Sequence, residues 1–143
     1  MGAVAHAERV GKTVTTHFAC TPPALVLDDD RQACRYGFRG ARFLRESLAR
    51  YYLGGDRPIG KLPVPRDFMS DDDLSSAMAL RNTPDDSLNV MCGDPTFARE
   101  YIARFQEIGV DELICVMQMG TVPHELIMQS IRTFGEKVMP HFG

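Results

Sequence analysis

The most constraining feature of this sequence is the apolar run LICVM at residues 113–117, which lies between two segments with helical periodicity. Apolar runs without polar alternation are typical of strands buried on both faces, as in parallel sheets covered by helices. The preceding segment predicts a helix over 95–108 that ends at Gly109, and the following one predicts a helix over 123–138. This order predicts a parallel α/β fold, in which chemistry sits at the carboxyl ends of the strands.

Two earlier strand–helix segments extend the same pattern. Residues 12–20 predict a strand that either stops at the following prolines or continues through a kink to Leu27, and a long helix over 31–52 follows. Residues 88–92 predict another strand, and Asp94 with Pro95 is a typical helix start directly after it.

The remaining segments give the domain organisation. Residues 1–11 predict a tail, and residues 54–87 predict an insertion made of a proline-rich loop and a short helix over 71–81. We expect residues 1–143 to form a single domain with about three β/α units, because the length suits one hydrophobic core.

Composition excludes several classes of function. The net charge of −3 argues against nucleic-acid binding, and the absence of a 20-residue apolar run argues against a membrane span. The four cysteines form no C-x-x-C pair and no metal-ligand spacing, so we expect no metal and reduced, mostly buried thiols in a cytoplasmic protein.

Three predicted strand ends carry the candidate site residues: Cys20-Thr21-Pro22, Cys92-Gly93-Asp94 and Gln118-Met119-Gly120-Thr121. Gln118 ends a buried strand and needs a partner, which is either a ligand or neighbouring backbone. Gly93 and Gly120 precede helices and are either anion-binding positions or tight turns. His124 is either an acid–base group or a surface residue.

Two other features have competing interpretations. The arginine-rich face of the 31–52 helix is either solvated and partly paired or an anion site. His17 alternates with apolar residues, which favours a satisfied core or interface histidine over a ligand.

The C-terminal residues resemble the end of the bacterial luciferase-like, flavin-dependent monooxygenase family. The resemblance rests on Gly93-Asp94-Pro95 opening a helix, on Gly109-Val110-Asp111-Glu112 before an apolar strand, on Gln118-Met119-Gly120, and on the segment from Phe134 to Phe142. Residues 12–53 resemble the preceding strand and helix of the same family more weakly.

The resemblance implies a partial TIM (β/α)8 barrel of about three C-terminal units, because a complete barrel needs roughly 250 residues. It implies a monooxygenase that uses reduced flavin and oxygen on a small organic substrate, with FMN or F420 as cofactor and a possible flavin reductase as partner. The implied cofactor-binding residues are Gln118, Gly120 and Gly93, and the catalytic candidate is His124.

The alternative is a non-enzymatic, truncated half-barrel without a complete flavin site. Strands cut from a closed barrel would leave two unpaired edges and an uncovered inner face. We therefore expect a homodimer or higher oligomer.

Overall fold

A computed structural model describes residues 16–53, 67–86 and 88–142. The strands are β1 (Ala19–Cys20), β2 (Ala24–Val26), β3 (Met91–Gly93) and β4 (Glu112–Leu113). The helices are α1 (Asp30–Tyr52), α2 (Asp71–Leu80), α3 (Pro95–Glu107) and α4 (His124–Lys137), and a 3-10 turn, Met139–His141, follows α4. The predicted tail at 1–11 and the start of the insertion at 54–66 lie outside the described residues.

Local capping explains where the helices begin. Side chains of Asp29, Ser70 and Asp94 accept hydrogen bonds from backbone N–H groups in the first turns of α1, α2 and α3. Each cap satisfies one of the N–H groups that a helix start leaves without a partner. The predicted helix starts at Ser70 and Asp94 are thereby confirmed.

The end of α3 has the conformation that the sequence predicts. Gly109 has a φ of +83°, and its N–H donates to Gln106 O while the N–H of Val110 donates to Phe105 O. This pair of bonds is the Schellman motif, which favours glycine because the left-handed conformation strains other residues.

All strand pairs are parallel. β1 pairs with β4, β2 pairs with β3, and an isolated bridge joins Pro23 to Val116. Residues 19–26 therefore form one strand path that lies between residues 91–93 on one side and 112–116 on the other. The two prolines in this path lack N–H groups, but the carbonyls of Pro22 and Pro23 accept bonds from Val116 and Met91.

Two apolar clusters cover opposite faces of these strands. Leu25 and Leu27 belong to a cluster with α1 and α2, whereas Ala24 and Val26 belong to a cluster with α3 and the C-terminal segment. Because successive strand residues point to opposite faces, the central strand is buried on both. The α/β class with parallel strands is confirmed, and the predicted uncovered inner face is wrong for the central strand.

The strand order differs from the one that consecutive units of the predicted partial barrel would have. A simple section of a barrel would have its strands as neighbours in chain order. Here the first strand path lies between the second and the third.

Among the described residues, no helix has both the length and the apolar character required to span a membrane.

Candidate functional site

The first predicted strand end is not an end. Cys20-Thr21-Pro22 lies within the central strand path, which continues through the kink to Val26. The true carboxyl end of this path is next to Gly93, because the N–H of Leu27 donates to Gly93 O. The alternative of a strand that continues through the prolines is therefore the one that the structure adopts.

The third predicted strand end and the start of α4 form one cleft of about 550 Å³. Gln118, Gly120 and His124 all line it. The rest of the lining is apolar and consists of Met117, Val122, Ile127, Met128 and Ile131. The cleft therefore brings together three of the four predicted site residues, with an amide and an imidazole on an otherwise apolar surface.

Gly120 shapes the rim of this cleft. Its φ is +57°, and the N–H of Thr121 bonds to Met119 O at 2.6 Å across it, which makes a three-residue turn. A Cβ on Gly120 would collide with the ring of Phe43. The turn and this close approach account for glycine at the position.

Helix α1 supports the same loop from beneath. The buried Met119 packs against the backbone of Gly40, where an added Cβ would lie 2.9 Å from Met119 Cβ and 2.7 Å from Val122 Cγ2. Arg39 Nη2 donates to Thr121 O at 2.5 Å, and its guanidinium lies 4.0 Å from the centroid of the Phe68 ring. The cleft wall is thus anchored by packing and by a charge-assisted hydrogen bond.

Gly93 lies apart from the cleft, at the start of α3. The N–H of Asp94 donates to Asp30 Oδ1 at 3.1 Å, and the side chain of Asp94 caps Phe97 N at 2.8 Å. Two carboxylates therefore occupy the N–H groups that an anion would need. The contacts at Gly93 favour the tight-turn interpretation.

Arg81 organises this second region. It forms a bidentate ion pair with Asp30 at 2.7 and 2.8 Å and donates to Cys92 O at 3.2 Å. Its guanidinium also lies 4.4 Å from the centroid of the Phe97 ring. These contacts join α1, α2, β3 and α3 at the carboxyl ends of β2 and β3.

The cysteines beside Arg81 are buried thiols. Burial raises the pKa of Cys34 to about 12 and also raises the pKa of Cys92, so neither is a thiolate near neutral pH. The predicted free thiols are seen, with Cys34 and Cys92 buried and Cys20 and Cys115 half-buried. Among the described residues, no group of three His, Cys, Asp or Glu side chains is placed to hold a metal ion.

The arginine-rich face of α1 is paired. Arg31 and Arg35 both contact Asp71 Oδ1, at 3.1 and 2.8 Å, and Arg45 donates to Leu88 O. The hydrogen bonds from Arg31, and next those from Arg35, hold the pKa of Asp71 below its usual value. The pairing favours the partly paired helix face over an anion site.

His17 is exposed, so the core alternative predicted for it is wrong, and the interface alternative stays a prediction. Its Nε2 lies 3.0 Å from Glu112 Oε2, and this hydrogen bond raises the pKa of His17 above 6.5. Because the folded pKa is raised, the pair contributes stability fully below about pH 6.5 and loses it as pH rises through the folded pKa.

We expect an NMR titration to give His17 a pKa above 6.5, and we expect Glu112→Gln to lower it. His141, which is also exposed, serves as the reference resonance in both proteins. An unchanged His17 titration in the Glu112→Gln variant would contradict the contact.

Comparisons with known proteins show a likeness of fold. No family model matches the chain, and no curated protein matches it. The solved structure of the monooxygenase RslO1 from Streptomyces bottropensis is similar, with a TM-score of 0.64 and 17% identity. The match covers 98% of this chain and 36% of that chain, so this chain has the fold of about a third of RslO1.

Proposed function

We propose that this chain is the C-terminal portion of a luciferase-like, flavin-dependent monooxygenase, and that the cleft at Gln118 holds the ring system of FMN or F420 beside a small organic substrate. The observation that carries the proposal is the convergence of Gln118, Gly120 and His124 on one cleft after a strand. The shared fold with part of RslO1 supports it.

The lining of the cleft fits the ring system of a flavin but not its phosphate. The cleft's lining residues in the described part of the chain include no Lys, Arg, Asp or Glu, so they suit an uncharged ring or an apolar substrate. It offers no cation for a phosphate, which the family resemblance assigns to earlier loops of a complete barrel. We accordingly propose that the cleft takes only the ring system and that the phosphate lies outside it.

The side chains have separable roles in this proposal. The Gln118 amide donates and accepts hydrogen bonds at the ring edge, and the His124 imidazole holds or moves a proton on the substrate side. The Met and Ile side chains offer an apolar surface to the ring, while Gln118 and His124 are themselves exposed. The flavin, when bound, supplies the oxygen chemistry. We also propose a cytoplasmic location and a flavin reductase as partner, because the cofactor must be supplied in its reduced form.

Titration with FMN and F420, oxidised and reduced, tests the proposal through cofactor fluorescence. We expect micromolar binding, and we expect Gln118→Ala to weaken it about tenfold, which corresponds to the loss of one net hydrogen bond. Gln129→Ala is the matched control, because Gln129 is exposed on α4 and does not line the cleft.

Equal losses in the two variants would contradict the role of Gln118. If none of the four cofactor forms binds, cofactor binding by this chain is contradicted. The second candidate, a non-enzymatic half-barrel, is then favoured. That candidate is favoured by one observation: the carboxylates of Asp30 and Asp94 occupy the N–H groups at the α3 N-terminus, which was one of the two anion-binding positions predicted for this chain.

A further inference from the structure

The strand path at residues 112–117, here called the edge strand, is open along one side. Its even-numbered residues bond to the central strand, as shown by Ile114 N–H to Cys20 O and Val116 N–H to Pro22 O. In a parallel strand the odd residues then point their N–H and C=O groups the other way. Within the part of the chain that the structure describes, no hydrogen bond reaches these outward groups of Leu113, Cys115 and Met117.

The opposite edge of the sheet shows the contrast. There the outward carbonyl of Cys92 accepts bonds from Arg81 and from the Cys34 thiol. No described residue covers the edge strand with hydrogen bonds in this way, and residues 113–117 contain no charge, proline or glycine. Proteins normally protect an edge with one of these devices, and an apolar edge without them pairs with another strand.

We propose that the edge strand pairs with the edge strand of a second copy of this chain, antiparallel and about a two-fold axis at Cys115. Two-fold symmetry makes edge-to-edge pairing antiparallel. With the axis at Cys115, Leu113 lies opposite Met117 of the partner subunit. Three pairs face each other in this way: Leu113 with the partner's Met117, Cys115 with the partner's Cys115, and Met117 with the partner's Leu113. Each pair exchanges two hydrogen bonds, which gives about six across the axis.

The charges agree with this register. Asp111 and Glu112 precede the edge strand, and the two-fold places them opposite the partner's Met119 and the partner's Gln118 rather than opposite acids. Within each protomer the same acids already have partners, because Asp111 accepts from Phe18 N–H and Glu112 contacts His17. No like charges face each other across the axis.

Exposed apolar side chains flank the open edge. Ile114 is 50% exposed on the edge strand, and Met128 and Ile131, which share the cleft with Met117, are 39% and 47% exposed. A partner strand that pairs with Met117 borders this surface and removes part of it from water. The partner's Leu113 therefore lies next to the cleft, although the dimer does not depend on cofactor binding.

Proline at position 117 tests the pairing. Met117→Pro removes an N–H group that has no partner among the described residues, so it blocks the second strand while the fold is retained. By light scattering without cofactor, we expect a dimer for the unmodified chain and for Met117→Ala, and a twofold lower molar mass for Met117→Pro. A monomeric unmodified chain, or a dimeric Met117→Pro, would overturn the proposal.

A cross-link tests the position of the axis and remains decisive if the proline variant does not fold. Opposite residues in this type of pair have Cα atoms about 5.5 Å apart, which is within disulfide range. In a Cys20→Ser background, oxidation with copper phenanthroline should give a disulfide-linked dimer that Cys115→Ser abolishes. A dimer that shows no Cys115-dependent cross-link would contradict this register.

Discussion

Arg81→Ala should lower the free energy of unfolding by about 2–3 kcal/mol, because it leaves the Asp30 carboxylate without its bidentate partner. The Arg81 side chain is 14% exposed and that of Asp30 is 34% exposed, so water compensates only in part. The change also removes the donor to Cys92 O at the protected edge of the sheet. Urea unfolding followed by circular dichroism measures the difference.

Arg31→Ala is the matched control for this experiment. Arg31 also pairs with an aspartate, Asp71, but the two side chains are 48% and 72% exposed. Exposed ion pairs contribute about 0–1 kcal/mol, so this variant should stay close to the unmodified protein. Equal losses in the two variants would show that Arg81 does not hold the four elements together.

Gly40→Ala should lower the free energy of unfolding by about 2 kcal/mol, although alanine is the better helix former. The new Cβ would lie 2.9 Å from Met119 Cβ and 3.0 Å from the Met119 carbonyl oxygen, so backbone has to move. Overpacking costs about 1–3 kcal/mol, and a contact with backbone places this site at the upper end of that range. About 2 kcal/mol of destabilisation therefore remains after the helix-propensity gain of about 1 kcal/mol.

Gly135→Ala separates packing from helix propensity. Gly135 is also inside a helix, but no atom lies within 4 Å of the position that its Cβ would occupy. This variant should gain about 0.5–1 kcal/mol, opposite in sign to Gly40→Ala. Equal signs in denaturant unfolding would refute the close contact between α1 and the loop after the edge strand.

The helices were predictable because their signals are local. Ser70, Asp94 and Gly109 each act within a few residues of the helix end that they define. The central strand was harder to place, because Pro22 and Pro23 indicate a stop. The strand continues since neighbouring strands donate to the proline carbonyls, and that pairing involves residues about 70 to 95 positions away, as with Met91 and Val116.

The candidate site was predicted in part for the same reason. Gln118, Gly120 and His124 lie within seven residues of sequence, and the structure brings them to one cleft. Arg81 was not predicted, since it lies inside the insertion and its partner Asp30 is 51 residues away in α1. A lone arginine at the end of a short helix carries no signal of burial, and only the contacts between that helix and α1 reveal its role.

The contact between Gly40 and Met119 divides the cleft into a stiff side and an adaptable side. The loop at Met119 packs against the backbone of α1 at Gly40. Backbone has no alternative rotamers, so this side of the cleft does not adapt to a larger ligand. The opposite side carries Met128 and Ile131, whose outer atoms lie in solvent and can repack. Ligands of different shape would therefore be accommodated by α4, while the position of Gln118 relative to the sheet stays constant.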